Sequence, residues 1–405
     1  MNNNTLQQAL LTLNAGSSSI KFAIFLVPEI EQVITGQIDG IGSSATFKAK
    51  NTDLSINEKY EWPISSAPKS HNDALQWLIQ WLEQHAANLE IKAVGHRVVH
   101  GGHFYTEPVL IDDQVLQKLE SLIALAPLHE PHNVAGIKAA KNSFGDIPQV
   151  ACFDTAFHRN QPFINDTFAI PRHFYDEGVR RYGFHGLSYE YIHQQIEKHF
   201  PKIYEGKAIV LHLGNGASMC ALKNGQPIAS TMGFTALDGL PMGTRCGQID
   251  PGVLLYLMDY KGMTAREISD LLYKESGLKG LSGISNDMRT LEASDSVFAK
   301  EAIAYFVSRI NREIGSLAMA LGGLDALIFT GGIGENSVHI RKKVLESCAW
   351  LGVEIDNLRN ENSEMIISTE ISSVLCLRIP TNEEKMIAEH TLQLSKLLSS
   401  EIISI

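Results

Sequence analysis

Leu10-Leu11-Thr12-Leu13, Asn14-Ala15-Gly16-Ser17-Ser18-Ser19 and Ile20-Lys21-Phe22-Ala23-Ile24-Phe25 follow one another without interruption. Two runs of β-favouring residues flank a turn of small polar ones, and that pattern predicts a β-hairpin. A second stretch reads the same way: Ala208-Ile209-Val210-Leu211-His212-Leu213, then Gly214-Asn215-Gly216-Ala217-Ser218, then Met219-Cys220-Ala221-Leu222, with a reverse turn at Asn224-Gly225. The two lie 200 residues apart. Leu11/Leu211, Leu13/Leu213, Gly16/Gly216 and Ser18/Ser218 are identities, four of the eight positions from 11 to 18. The repeat predicts a chain built from two related halves.

Outward from the hairpins, helical and strand patterns alternate. Leu75, Leu78, Ile79 and Leu82 recur at helical spacing within 72–87, and 93–99 reads as a strand ending at Gly101-Gly102. Short strands are expected at 149–153 and 325–330, the latter running into Gly331-Gly332-Ile333-Gly334, and a helix at 381–398 capped by Thr381 or Asn382. This mixture predicts an α/β class. No linker marks a boundary, so halving the chain places one at 152/153.

Length, 405 residues, suits two or three domains, and 44% apolar with 20% charged residues is ordinary globular composition. A net charge of -11 argues against a general nucleic-acid binder, though a local cluster could still hold anionic small molecules. Five dispersed cysteines, with no C-x-x-C, indicate neither a disulfide framework nor a zinc site and suit a reducing cytoplasm. The first eleven residues predict no targeting segment, and no apolar run approaches the ~18 residues of a membrane span.

Several chemistries have no motif here: the Walker loop, the protein-kinase motifs, the dinucleotide fingerprint and the nucleophile elbow are all absent from the sequence. His129-Glu130-Pro131-His132 falls short of H-E-x-x-H, and its proline is expected to break the helix that motif needs. His96 and His100, four apart in a strand, are too far apart for one metal. The hairpin turns are more informative. They lack bulky side chains, so backbone N–H groups and hydroxyls can close on phosphate oxygens, with Lys21 adding charge beside the first. Either alone could be a tight turn and nothing more; paired, and joined by the glycine cluster at 331–334, they predict a nucleotide clamp. Arg97 and Arg245 are set among glycines, a context that suits bidentate recognition of carboxylate or phosphate.

Taken together, Leu13 to Lys21, Gly95-His96-Arg97-Val98-Val99-His100-Gly101-Gly102, Phe153 to His158, Tyr182-Gly183-Phe184-His185-Gly186, His212 to Ser218, Phe329 to Asn336 and Thr381-Asn382-Glu383-Glu384 resemble the acetate kinase family. The resemblance runs from about residue 10 to 390, motif by motif in family order. It implies two ribonuclease-H-like domains of the actin-like ATPase superfamily around a central cleft: 1–152, completed by a C-terminal helix at 384–405, and 153–383, with the nucleotide site and the interface of a homodimer.

The resemblance also implies reversible, Mg2+- or Mn2+-dependent phosphoryl transfer from ATP to acetate, giving acetyl phosphate and ADP. Asn14 and Glu383 would place the metal, and Lys21 would lie near the phosphates. Arg97 would hold the acetate carboxylate, with Val99, Leu128 and Phe184 walling its methyl group. Asp154, His185 and Arg245 would surround the transferring phosphoryl group. His212, Leu213, Gly214, Asn215 and Gly216 would form a phosphate loop, Asp287, Met288 and Arg289 would meet the nucleoside, and Gly331, Gly332, Ile333, Gly334 and Glu335 would close over it. Glu130 stands where many members have Asn, Ala236 where they have a pocket proline, and Asp238 where they have Glu. Ala236 bears on acyl-chain selectivity, so propionate or butyrate kinase is the near alternative. A non-transferring actin-like ATPase is the distant one.

Overall fold

The computed structural model describes residues 6–52, 55–127 and 129–397. They fall into two compact units: residues up to Phe157 together with those from Asn382 onward, and His158–Thr381. This division lies five residues beyond the one drawn at 152/153. Asp154 N–H donates to Val98 O (3.0 Å) and Gly101 N–H to Thr155 Oγ1 (3.0 Å), so the chain after the last long strand stays tied to the first unit.

In the first unit the strands are β1 (Gln7–Ala15), β2 (Ser19–Leu26), β3 (Glu31–Asp39), β4 (Thr46–Asn51), β5 (Asn57–Glu61), β6 (Leu89–Val98), β7 (Val109–Leu110) and β8 (Gln149–Phe153), in spatial order β5-β4-β3-β2-β1-β6-β8-β7. The predicted hairpin is there, with Leu11 opposite Ile24 and Leu13 opposite Phe22. Side chains alternate between faces along a strand, so each face gathers its own core. Leu11, Leu13, Phe22 and Ile24 pack with Leu75, Leu78 and Trp81 of the helix His71–His85 and Ala139 and Ala140 of the helix Glu130–Phe144. On the other face Leu10, Ala23 and Ala93 pack with Ala388 and Leu392 of the helix Glu383–Ser395. That helix lies so close to β6 that a Cβ on Gly95 would come within 2.2 Å of Thr391 Oγ1.

The second unit carries β9 (Lys207–Leu213), β10 (Ala217–Lys223), β11 (Gln226–Ser230), β12 (Ala326–Thr330) and β13 (Leu375–Arg378), in order β11-β10-β9-β12-β13. β9 pairs antiparallel with β10 and parallel with β12, as β1 pairs antiparallel with β2 and parallel with β6. Three antiparallel strands followed by two parallel ones are thus common to both sheets, and the 200-residue offset is a repeat of topology. The chain is α/β, with two sheets of ribonuclease-H-like order.

One expectation is overturned. Pro131 does not break a helix; it occupies the first turn of Glu130–Phe144. A proline there lacks only an N–H that has no intrahelical partner in any case. The predicted C-terminal helix is observed as Glu383–Ser395, with Asn382 Oδ1 accepting from Lys385 N–H as its cap.

Candidate active site

In the first unit a cluster forms where β1, β6 and β8 end. Arg97, one residue before the end of β6, is held by two prongs: Nε donates to Asp154 Oδ1 (2.9 Å) and Nη2 to Asp154 Oδ2 (2.6 Å). Its Nη1 reaches Asn14 Oδ1 at 3.4 Å, and Nε lies 3.8 Å from Glu383 Oε2. Burial disfavours the guanidinium charge, but Asp154 and Glu383 more than offset this and hold Arg97 firmly protonated. Burial raises Glu383 above the usual carboxylate range despite Arg97. Lys21, directly opposite Asn14 in the hairpin, is exposed.

Behind the cluster, Asn133 donates to Ala15 O (3.0 Å) and accepts from Val99 N–H (2.9 Å), clamping the end of β1 to the end of β6. Next to it Glu130 is wholly buried, and burial pushes its carboxyl up to about 8, with the His100 N–H opposing and the Asp154 charge adding. His96 is buried, bonded to Gln149 Oε1 (2.7 Å), and desolvation lowers it to about 4. Leu128 lies outside the described residues.

In the second unit His185 sits at φ +58°, before the helix Gly186–His199. Its Nδ1 meets Ser218 Oγ (2.8 Å), which meets Tyr189 Oη (2.5 Å). Its ring stacks on His212, 4.2 Å between centroids, and His212 Nδ1 meets Ser188 Oγ (2.8 Å). A Cβ built on Gly216 would lie 3.1 Å from His185 Nε2 and 4.0 Å from Arg245 Nη1. Both cationic side chains therefore converge on this bare turn. Arg245 is braced by the Ala236 carbonyl at 3.0 Å, which is how Ala236 enters the site's construction.

A hollow of about 720 Å3 is lined by Gly214 and Asn215 of the turn, Asp287, Met288 and Arg289, and Gly332 and Ile333. Three separate sequence motifs thus meet in one concavity, whose size is that of a ligand pocket. Leu213 and Gly334 are buried behind it. Glu335 turns away: its Oε1 accepts from Gly331 N–H (2.9 Å) and Thr381 N–H (3.0 Å), tying the helix Gly331–Asn336 to the chain beyond β13. Phe184 is buried, its carbonyl bonded to His158 Nε2 at 3.0 Å.

The acetokinase family model matches residues 9–389. The chain belongs to the acetokinase family. It is 53% identical to the acetate kinase of Methylocella silvestris, covering 96% of this chain and 98% of that one, and 50% identical to the acetate kinase of Rhizobium meliloti, covering 95% and 98%. Among solved structures, a propionate kinase from Francisella tularensis superposes with a TM-score of 0.89 at 39% identity, covering 96% of this chain and 100% of that one. Porphyromonas gingivalis acetate kinase gives 0.86 at 36%, covering 96% and 99%.

For this acetokinase the motif reading missed the residues that hold the others in place. Asn133 belongs to the His129–Asn133 stretch weighed above only as a metal motif. Tyr189 and Ser188 stand one turn into a helix opened by His185, a spacing visible in the sequence. Arg341, wholly buried, donates through Nη1 to Gly334 O (3.1 Å) and Glu335 O (2.8 Å) and so fixes the end of the glycine-cluster helix; a lone arginine in a long helix gave no signal.

Proposed function

We propose that the chain catalyses reversible phosphoryl transfer between ATP and acetate, giving acetyl phosphate and ADP by direct in-line attack. The observation that carries this is the hollow in which Gly214, Asn215, Asp287 to Arg289, Gly332 and Ile333 converge beside the His185 and Arg245 pair. The hollow takes the nucleotide, the bare turn His212 to Gly216 its phosphates, and Lys21 adds a further charge. An acetate carboxylate, with a pKa of about 4, is already ionised at neutral pH and attacks phosphorus without a general base. The task is to neutralise and orient anions.

His185 suits the donor's role if Nε2 carries a proton. Tyr189, a buried phenol held protonated by desolvation, donates to Ser218; Ser218 donates to Nδ1; Nε2–H then points toward the turn. Arg245 provides the second positive group for the phosphoryl oxygens. Asp154 orients Arg97 rather than moving a proton, and the Nη1 edge of Arg97 takes the acetate carboxylate, with Val99, Leu128 and Phe184 about the methyl group. Asn14 Oδ1 and Glu383 both approach Arg97 and are oxygen donors, which fits a hard cation such as Mg2+ or Mn2+ that keeps waters and substrate phosphates for its remaining positions. When bound, the cation offsets the charge of the phosphates.

The helix Pro251–Asp259 buries none of its residues within its own unit, which supports a homodimer. Five free cysteines suit a cytoplasmic setting, and among the described residues no helix is long and apolar enough to cross a membrane. Propionate is the second reading, favoured by Ala236 in place of a ring. The test is a hydroxylamine trap for acyl phosphate with MgATP and acetate, propionate and butyrate. Acyl hydroxamate is expected, with acetate the best acceptor. ATP hydrolysis without hydroxamate would overturn the reading.

A further inference from the structure

We propose that the uncovered face of the β2 to β5 sheet, where Lys48, Lys50 and Lys59 stand beside Lys21, binds a small condensed-phosphate polyanion at a site of its own. The ladder places Lys21 opposite Gln37, Gln37 opposite Lys48, and Lys48 opposite Lys59, a single row crossing four strands. Lys50, two residues beyond Lys48, points to the same face. The four lysines are exposed. The opposite face is filled by Phe22, Phe47 and Ala49 against the helix His71–His85, and the helix Glu383–Ser395 packs on β1, β6 and β8, leaving β3 to β5 open.

Like charges directly opposite one another weaken a ladder, yet Lys48 faces Lys59 in a chain of net charge -11. Among the described residues neither they nor Lys50 form an ion pair. The acidic groups nearby are otherwise engaged or displaced. Glu58 turns to the other face, to Trp81 Nε1 (2.8 Å) and His85. Asp39 accepts from Gln37, and Asp39 and Glu61 belong to the next row with Thr46. Glu384 stands at the rim.

These residues line a hollow of about 370 Å3. It is large enough for a small molecule and too small for a macromolecular segment. Strands lie roughly 4.8 Å apart, so the row from Lys21 to Lys59 spans about 14 Å. An elongated anion with several charges matches that row better than a compact one, and ammonium groups recognise phosphate oxygens as point charges. Lys48, Lys50 and Lys59 play no part in the phosphoryl-transfer reading, so the proposal does not depend on it.

The test is titration calorimetry of the full chain with tripolyphosphate, without divalent cation and at low ionic strength, where exposed charges are least screened. Wild type should bind one equivalent, and Lys48→Ala/Lys59→Ala should bind about tenfold or more weakly, while Lys48→Arg/Lys59→Arg retains binding. The KM for MgATP should stay within about twofold in the alanine pair. No binding by wild type would leave the lysines as guards of the edge strand β5 and overturn the proposal. So would equal affinity in the alanine pair, or a parallel loss of MgATP affinity, which would make the row part of the nucleotide site.

Discussion

Arg97 and Arg245 carry the same charge in different settings and should fail differently when truncated. Arg245 is braced by a carbonyl and stands at the bare turn. Arg245→Ala should lower kcat by at least ~10²-fold with little change in KM for ATP or in Tm, the scale for losing a preorganised charge donor. Arg97 is half of a two-pronged pair with Asp154, which is 1% exposed. Arg97→Ala leaves that carboxylate buried and unpaired, so it should raise the acetate KM and also lower Tm, with a stability loss of about 3 kcal/mol or more. Equal effects on both parameters in both variants would contradict the assignment. Glu130 offers a pH test. Its native carboxyl is pushed up to about 8 from an ordinary 4.5. Between those values the unfolded chain gives up a proton that the folded chain keeps, so stability falls as pH rises and levels off above about 8. Glu130→Gln removes that slope. Melting curves from pH 4 to 9 should show the variant gaining on wild type up to about pH 8 and then running parallel; parallel curves throughout would mean the group is ionised when folded.

At the scale of elements, what the sequence made legible was local, and what it hid was tertiary. The hairpins were readable because strand alternation and small turn residues are short-range signals, and the 200-residue offset survives as matching sheet order. The Pro131 helix start was misjudged because a proline tolerated in a first turn looks the same in sequence as one that breaks a helix interior. The glycine cluster was expected as a loop continuing β12; it is a six-residue helix, Gly331–Asn336, opened by a glycine at φ +76°. Phosphate-contacting motifs could be recognised one by one, but the relay from Tyr189 through Ser218 to His185, and the Arg341 brace, join residues from separate elements. Gly331 tests how tightly these elements are joined. A Cβ there would sit 2.8 to 3.1 Å from the backbone of Leu213, on the strand that enters the phosphate turn, and would strain the left-handed backbone as well. Gly331→Ala should therefore cost about 2 kcal/mol or more, seen as a lower urea midpoint, and should raise the KM for ATP. A variant as stable as wild type would mean that the two strands yield easily.

At the scale of the whole molecule, the helix Pro251–Asp259 is the feature that one chain does not explain. Asp250 caps it by accepting from Gly252 N–H, with Pro251 in its first turn, so the helix is set by local signals and does not depend on a packing partner to define its start. Its sequence, Pro-Gly-Val-Leu-Leu-Tyr-Leu-Met-Asp, is nevertheless almost wholly apolar, and Leu255 is 61% and Tyr256 48% exposed. Isolated exposed apolar residues are ordinary, but a helix apolar on every side and buried on none calls for a partner surface. A second copy of the chain answers the symmetry requirement simply, because a twofold interface lets one helix cover its own counterpart. Leu255→Glu places a charge in that interface and removes an apolar side chain worth about 2 kcal/mol when buried; in a twofold dimer both effects count twice. Light scattering after size exclusion should give a dimer mass for wild type and a monomer mass for Leu255→Glu at the same micromolar concentration. The helix lines neither hollow described above, so the variant should keep its fold by circular dichroism. A wild type that is monomeric, or a variant that remains dimeric, would move the interface elsewhere on the chain and leave this helix without a partner.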